Sequence, residues 1–316
     1  MSVFRKYSTY LQEKYGEKVY KLSINLPLTC PNRNQDNLGG CTFCADVGTG
    51  FSSAPSIDVK KQLEERKDII KKRYNADKYI AYFQNYTNTY MPLETFKKYI
   101  LSAVVPDVVE IDISTRPDCI TDEQLAFLAE VKKERNIDVT LELGLQTVNY
   151  KTLDRIRRGH GLAEFIDGIM RIKKYGFEVC VHLILNLPWD DDRDVIENAK
   201  VLSALKVEQV KLHALYVMDH TVMGDQYKNG EFEICSAEEY QEKVITFLRH
   251  LDPEIVVQRL LGRAPRENSL FVNWNQSWWK IRDSIEDTME KRRVVQGDLC
   301  NYLGGKAYEQ EMKKQK

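Results

Sequence analysis

Six times between residues 19 and 251, a short apolar run rich in β-branched residues is followed by a longer segment with helical period. The runs cover residues 19–24, 79–83, 108–113, 139–145, 179–185 and 210–215. The intervening segments carry helix signals. Val59, Leu63 and Ile70 share one face of a segment spanning residues 56–74, among lysines and glutamates. Leu93, Phe96, Ile100 and Val104 form the next stripe, with Pro92 at a plausible first position. Thr121 with Gln124, and Ser236 with Glu239, have capping-box spacing. Leu153 with Ile156, and Val195 with Ala199 and Leu202, mark two further helices. The helix carrying Phe165, Ile169 and Ile172 stops at Gly176, just past Lys173 and Lys174. Such an alternation argues for a parallel α/β fold. Near-continuous apolar runs such as residues 179–185 suit strands covered on both faces. Residues 255–260 fit either a seventh strand or the edge of a small extension.

No G-x-G-x-x-G opens a helix after the first strand, so a dinucleotide site is unsupported. The net charge of −1 gives no global attraction to nucleic acid, and any such contact must come from local basic patches. No run reaches the ~18 apolar residues of a membrane span. The longest candidate, residues 179–188, is interrupted by His182 and Asn186. The first residues hold no apolar signal core, which reads as a cytoplasmic protein. From about Pro265 the pattern turns aromatic and basic. The expected division is a core over residues 1–262 and a short C-terminal extension over 263–316.

The chain has seven cysteines. Cys119, Cys180, Cys235 and Cys300 are scattered and read as small buried hydrophobes or chance surface thiols. Cys30, Cys41 and Cys44 instead share one loop after the first strand, the end of a parallel sheet where barrels place their active sites. The neighbourhood offers three thiolates and no evident fourth ligand, and the first histidine of the chain is His160. A structural zinc site takes four protein ligands. An iron–sulfur cubane on three thiolates keeps one iron open for S-adenosylmethionine (SAM). Gly39 and Gly40 would let the loop turn tightly, and a zinc knuckle with distant ligands is the competing reading.

The segments Leu28-Thr29-Cys30-Pro31-Asn32-Arg33-Asn34 and Gly39-Gly40-Cys41-Thr42-Phe43-Cys44 resemble those of radical SAM enzymes. Ten residues separate Cys30 and Cys41 where the usual signature has three, so the resemblance is to the long-loop YhcC/YtqA type, related to the Elp3 radical SAM core. It extends through Ser114-Thr115-Arg116-Pro117-Asp118, Leu143-Gly144-Leu145-Gln146, Arg158-Gly159-His160 and Val257-Gln258-Arg259. The resemblance implies a partial TIM-type (β/α)6 barrel with parallel strands. It implies that Cys30, Cys41 and Cys44 bind a [4Fe–4S] cluster and that Phe43 packs near the SAM adenine. Gln84 and Asn85 stand where many relatives have a glycine-glycine-glutamate motif for the SAM amino group; the glutamate is absent here. Ser114 and Glu142 would meet the methionine and ribose groups, Arg158 the SAM carboxylate, and Asn186 the adenine.

Each assignment has a plainer counterpart. Gln84, Asn85 and Asn186 also fit strand-end caps. Arg158 also fits a solvated helix end. Glu142 on an apolar strand costs too much to bury unpaired and so requires a partner. His182 and His213, on apolar strands, also fit satisfied core histidines. Arg116, His213 and Tyr216, at strand ends, would orient a substrate.

Basic and aromatic residues interleave at residues 155–160, at Trp274 with Trp278, Trp279 and Lys280, and at residues 291–293. That mixture suits stacked bases and phosphates. Trp278, Ile281, Ile285 and Met289 also fall at helical spacing, as in a helix covering a barrel. The resemblance implies action on the wobble uridine of tRNA, converting a 5-carboxymethylaminomethyl group toward aminomethyl, with an electron donor such as flavodoxin or ferredoxin. Rival readings are a radical SAM enzyme on a small metabolite or peptide, and a non-catalytic Fe–S or zinc protein that binds RNA.

Overall fold

The computed structural model describes residues 2–34, 39–45, 55–263 and 267–314. The interior of the cysteine loop (residues 35–38) and the composition change near Pro265 lie outside the described residues. In chain order the elements are α1 (Tyr7–Tyr15), β1 (Val19–Ile24), α2 (Pro31–Asn34), α3 (Val59–Tyr74), β2 (Lys78–Phe83), α4 (Leu93–Ala103), β3 (Val108–Thr115), α5 (Asp122–Arg135), β4 (Asp138–Gln146), α6 (Tyr150–Arg155) and α7 (Leu162–Lys174). They continue with β5 (Glu178–Ile184), α8 (Asp192–Ala204), β6 (Gln209–His213), β7 (Val217–Met218), α9 (Val222–Lys228), α10 (Ala237–His250), β8 (Val256–Arg259), β9 (Ser269–Phe271), α11 (Trp278–Arg292) and α12 (Lys306–Lys314).

Seven strands form one parallel sheet in the order β1-β2-β3-β4-β5-β6-β8. Residues 256–259 are therefore a seventh strand of the main sheet, the first of the two alternatives open for residues 255–260. The sheet is curled into a partial TIM-type barrel. In a flat sheet, β1 and β8 would lie six strand spacings apart, about 29 Å at ~4.8 Å each. Lys21 on β1 instead reaches Gln258 on β8 at 3.1 Å and Glu142 on β4 at 2.6 Å.

The alternation along each strand explains the two faces. Ile111, Ile113, Leu141, Leu143, Val179, Val181, Leu183, Val210 and Leu212 face the helices and belong to the main apolar cluster. Phe165, Ile169 and Ile172 of α7 join them, each buried side chain contributing roughly 1.5–3 kcal/mol. The other set points into the barrel and is polar: Glu110, Asp112 and Ser114 on β3, Thr140 and Glu142 on β4, His182 on β5, and Gln209 and Lys211 on β6. Apolar runs covered on both faces are thus only half of what these strands are.

Helix α1 closes the lower end of the lumen. Lys14 lies 3.0 Å from Glu178 and 3.3 Å from Glu110, and Tyr10 donates to Glu178 at 2.5 Å. Just before α1, Lys6 bridges to Val257, and the Val257 amide donates to Arg5 O at 2.9 Å, so the edge of β8 is not left bare. The capping boxes read at Thr121 and Ser236 both form. The stripe Ile281, Ile285 and Met289 of α11 is buried, while Trp278 at its start remains half-buried. No helix among the described residues is long and apolar enough to cross a membrane.

Candidate active site

Cys30, Cys41 and Cys44 line one cavity of about 130 Å3 at the carboxyl ends of the strands. The loop is shaped by Gly39 and Gly40, both with positive φ. A Cβ on Gly40 would stand 2.8 Å from the Arg33 side chain. Three donors are directed at the sulfurs: Asn32 Nδ2 at 3.3 Å and Arg158 Nη1 at 3.7 Å from Cys41, and Arg33 Nη1 at 3.9 Å from Cys44. Burial and the neighbouring Cys41 thiol push Cys44 up to about 11, with Arg33 acting in the opposite direction. Three soft ligands around one cavity, with donors aimed at them and no fourth sulfur among the described residues that line it, fit a cluster with an open coordination position. Phe43 packs on a separate apolar cluster with Ile184, Leu187 and Leu215.

The segment after α6 folds over this loop. Asn149 caps α6 through the Lys151 and Thr152 amides, and Arg157 and Gly159 take left-handed backbone. Ile156 O accepts from the Thr42 amide at 3.0 Å, and Arg157 O accepts from Asn32 Nδ2 at 2.6 Å. Arg158 is only 7% exposed, so it is no solvated helix end. Its Nη2 donates to Gly144 O at 2.7 Å, and its Nε is buried with no partner among the described residues. Arg116 is held by Asp118 through Nε (2.9 Å) and Nη2 (2.7 Å), and donates to Gly159 O at 2.9 Å. A Cβ on Gly159 would meet Asn32 Oδ1 at 2.6 Å and Arg116 Nη1 at 3.0 Å, at φ +76°. Gly159→Ala is expected to cost about 1–2 kcal/mol from backbone strain alone. It is also expected to lower the iron retained after anaerobic reconstitution, measured by iron content and chemical denaturation; full iron loading with unchanged stability would show that the loop tolerates the shift.

Below the cysteine cavity lies a charged lumen. Glu142 is fully buried and touches Lys21 (2.6 Å), Lys211 (2.5 Å) and His182 Nε2 (2.9 Å). Burial alone would raise its carboxyl, but Lys21, Lys211 and His182 hold it well below the usual glutamate range. The partner that the sequence demanded for Glu142 is therefore two lysines and a histidine. Burial, with the nearby Lys21, pushes Lys211 down to about 8 despite Glu142. Burial and Lys211 push His182 down to about 4, so it is neutral and donates to the carboxylate. Ser114 Oγ lies 3.0 Å from Tyr82 Oη and 3.3 Å from Glu142. Burial and Glu110 raise Asp112 well above the ordinary aspartate range, although Lys21 lies against it.

Other predicted residues occupy varied positions. Asn85 uses its side-chain amide to clasp Leu26, donating to Leu26 O at 3.0 Å and accepting from Leu26 N at 3.3 Å. Asn186 accepts from the Leu215 amide at 2.6 Å, while its Nδ2 is buried without a partner among the described residues. Gln84 lines the cysteine cavity and also a larger cavity of about 1230 Å3 that opens where the barrel is incomplete, between β1 and β8. Arg116, His213 and Tyr216 do not converge on that larger cavity. Arg116 lines the cysteine cavity, Tyr216 sits near enough to Cys44 to feel its charge, and His213 lies between His182 (ring centroids 5.2 Å apart) and Arg259 (2.9 Å). The larger cavity is lined instead by Trp278, already read as a base-stacking candidate, and by Lys21, Lys211, Arg259 and Arg263, to which the sequence reading gave no substrate role. The signal was present for two of them: Lys21 and Lys211 break otherwise apolar strands at lumen-facing positions, as Asp112 and Glu142 do.

The model of the Radical SAM superfamily matches residues 25–202, and that of the Radical_SAM C-terminal domain matches residues 207–291. The chain belongs to the radical SAM superfamily, whose enzymes use a [4Fe–4S] cluster and SAM. Within it, the chain is 35% identical over 297 residues to YtqA of Bacillus subtilis, covering 93% of this chain and 92% of YtqA. It is 31% identical over 271 residues to YhcC of Escherichia coli, covering 85% of this chain and 86% of YhcC. A shorter match, 26% over 151 residues, joins 47% of this chain to 27% of a tRNA uridine(34) acetyltransferase of Methanocaldococcus jannaschii. The solved Elp3 of Methanocaldococcus infernus shares the fold, with a TM-score of 0.66 at 17% identity over 88% of this chain. This chain spans 64% of the length of that Elp3 chain.

Proposed function

We propose that the chain is a cytoplasmic radical SAM enzyme that remodels the 5-substituent of wobble (2-thio)uridine in tRNA, converting carboxymethylaminomethyl to aminomethyl. The observation that carries the substrate reading is the cavity of about 1230 Å3 at the open side of the barrel, which shares the Gln84 wall with the cysteine cavity. At its mouth the Trp278 ring has two guanidinium groups near it, Arg263 at 4.8 Å and Arg282 at 5.2 Å. A base stacks on such an indole and a phosphate pairs with such cations. The partial match to a tRNA uridine(34) acetyltransferase supports the same substrate class.

In this reading Cys30, Cys41 and Cys44 hold the [4Fe–4S] cluster. Bound there and reduced by a flavodoxin- or ferredoxin-type donor, the cluster with SAM would supply radical chemistry able to take hydrogen from a carbon beside nitrogen and carboxylate. The chain's own residues position and exclude water. Phe43 and its apolar cluster would shield the adenine, together with Asn186, whose Nδ2 has no partner among the described residues. Arg158, whose Nε has no partner among the described residues, would meet the SAM carboxylate, and Ser114, Glu142 and Gln84 would meet its remaining polar groups. Because the Asn85 amide is committed to Leu26, Asn85 holds the strand end that carries Gln84. The core over residues 1–262 carries the chemistry, and residues 263–316 supply the mouth with Trp278.

Nucleoside analysis of tRNA from a deletion strain tests the substrate. Accumulated 5-carboxymethylaminomethyl-2-thiouridine with loss of its aminomethyl descendants is the expected result. An unchanged profile removes tRNA and leaves a metabolite or peptide. Failure of the reconstituted protein to bind SAM in equilibrium dialysis removes the enzyme reading altogether.

A further inference from the structure

The lumen places two cations side by side on neighbouring strands. Lys211 on β6 pairs in register with Arg259 on β8, just after a shift in that ladder. Like charges on paired positions repel, so the arrangement needs a counter-charge. Lys211 has one in Glu142 at 2.5 Å. Arg259 has none among the described residues. Its Nη2 meets His213 at 2.9 Å, and its Nε is buried without a partner among the described residues. Burial and Arg259 itself hold His213 well below the usual histidine range, so that ring is neutral and adds no anion.

The carboxylates nearby are already engaged. Glu142 and Asp112 face Lys21 and Lys211, Asp283 pairs with Arg282, and Glu286 pairs with Lys6. Gln258, beside Arg259 in sequence, turns to Gln209 at 2.6 Å. Gly262 leaves space over the guanidinium, since a Cβ there would stand 3.3 Å from Arg259 Nη2. The result is a guanidinium without an anionic partner among the described residues, on the wall of a cavity of about 1230 Å3 and with a second cation as its strand neighbour. A planar fork of donors of this kind matches a carboxylate.

We infer that Arg259, backed by Lys211, is the carboxylate anchor of the substrate cavity, binding an acidic group of the substrate while its reacting carbon lies toward the cysteine cavity. The inference rests on the reading of this cavity as the substrate site. It goes further by assigning the anion to Arg259 and not to Arg116 or the SAM-facing Arg158.

The test uses the holoprotein, reconstituted anaerobically and saturated with SAM. Binding is measured for two probe pairs: 5-carboxymethylaminomethyluridine nucleoside against its carboxamide, and N-acetylglycine against N-acetylglycinamide. The expected result is about ten-fold or tighter binding of the acid nucleoside over its amide. Arg259→Gln removes that preference, Arg259→Lys keeps part of it, and SAM affinity stays within about two-fold in both variants. If the glycine pair alone shows this pattern, the anchor stands and the uridine reading falls. If the nucleosides bind but acid and amide bind alike in both pairs, the anchor falls and the uridine reading stands. Survival of the preference in Arg259→Gln, a parallel loss of SAM affinity, or no binding of either acid overturns the anchor.

Discussion

Cys41→Ala, like Cys30→Ala and Cys44→Ala, is expected to abolish cluster assembly and to bring 5′-deoxyadenosine formation down to background. The three thiols line one cavity and are approached by Asn32, Arg33 and Arg158, so no neighbouring sulfur can take the place of a lost one within that wall. A cluster missing a thiolate loses the ligand set that leaves one position open to SAM. Cys235→Ala is the control, because Cys235 lies outside this cavity with its carbonyl bonded to Trp274. The measurement is iron and sulfide content, together with 5′-deoxyadenosine after dithionite reduction with SAM. Iron retention in a triple Cys→Ala variant equal to that of the Cys235→Ala control would place the cluster elsewhere.

Glu142→Ala is expected to destabilise the fold by about 3–5 kcal/mol, because it leaves Lys21 and Lys211 buried without the carboxylate both of them touch. The loss would be read as a lower urea midpoint with an unchanged slope. Combining it with Lys211→Met should recover part of the loss, since the second change removes one uncompensated charge. A single-variant cost below about 1 kcal/mol would mean that water or another group already balances the lysines. The pH dependence has a definite sign. Glu142 titrates in the folded protein well below its ordinary value of 4.5. Its contribution is therefore complete above that value and is lost as the pH falls through the acid range. Lys211 acts at the other end. Its folded value of about 8 lies below its ordinary 10.5, so its unfavourable contribution is full below pH 8 and fades as the pH rises toward 10.5.

Strands and helices were legible because their signals are local. The run at residues 19–24 coincides with β1, and the Thr121 and Ser236 caps stand where their spacing placed them. Those features depend on periods of two or 3.6 residues and on side chains that bond to their own backbone. The small sheet of β7 and β9 and the plug helix α1 were not read. The strands of that sheet hold two and three residues, too few to show a period, and α1 is a polar helix whose role comes from charges on strands far along the chain.

What the sequence by itself determined is the chemistry the chain carries: three cysteines in one long loop, six repeats of strand and helix, and the family those features define. What only the tertiary structure decided is how residues from distant strands share space. Glu142 announced in sequence that it needed a partner, but Lys21 and Lys211, 121 and 69 positions away, became its partners because the sheet curls. Arg158 fitted both a SAM contact and a solvated helix end in sequence, and only the fold turns it inward beside Cys41. Arg259 stands beside Lys211 because β8 pairs with β6 as a seventh strand. Local period and bond geometry act over a few residues and can be read in order along the chain. Charge balance inside the barrel is set by distances across it, and those exist only once the sheet has curled.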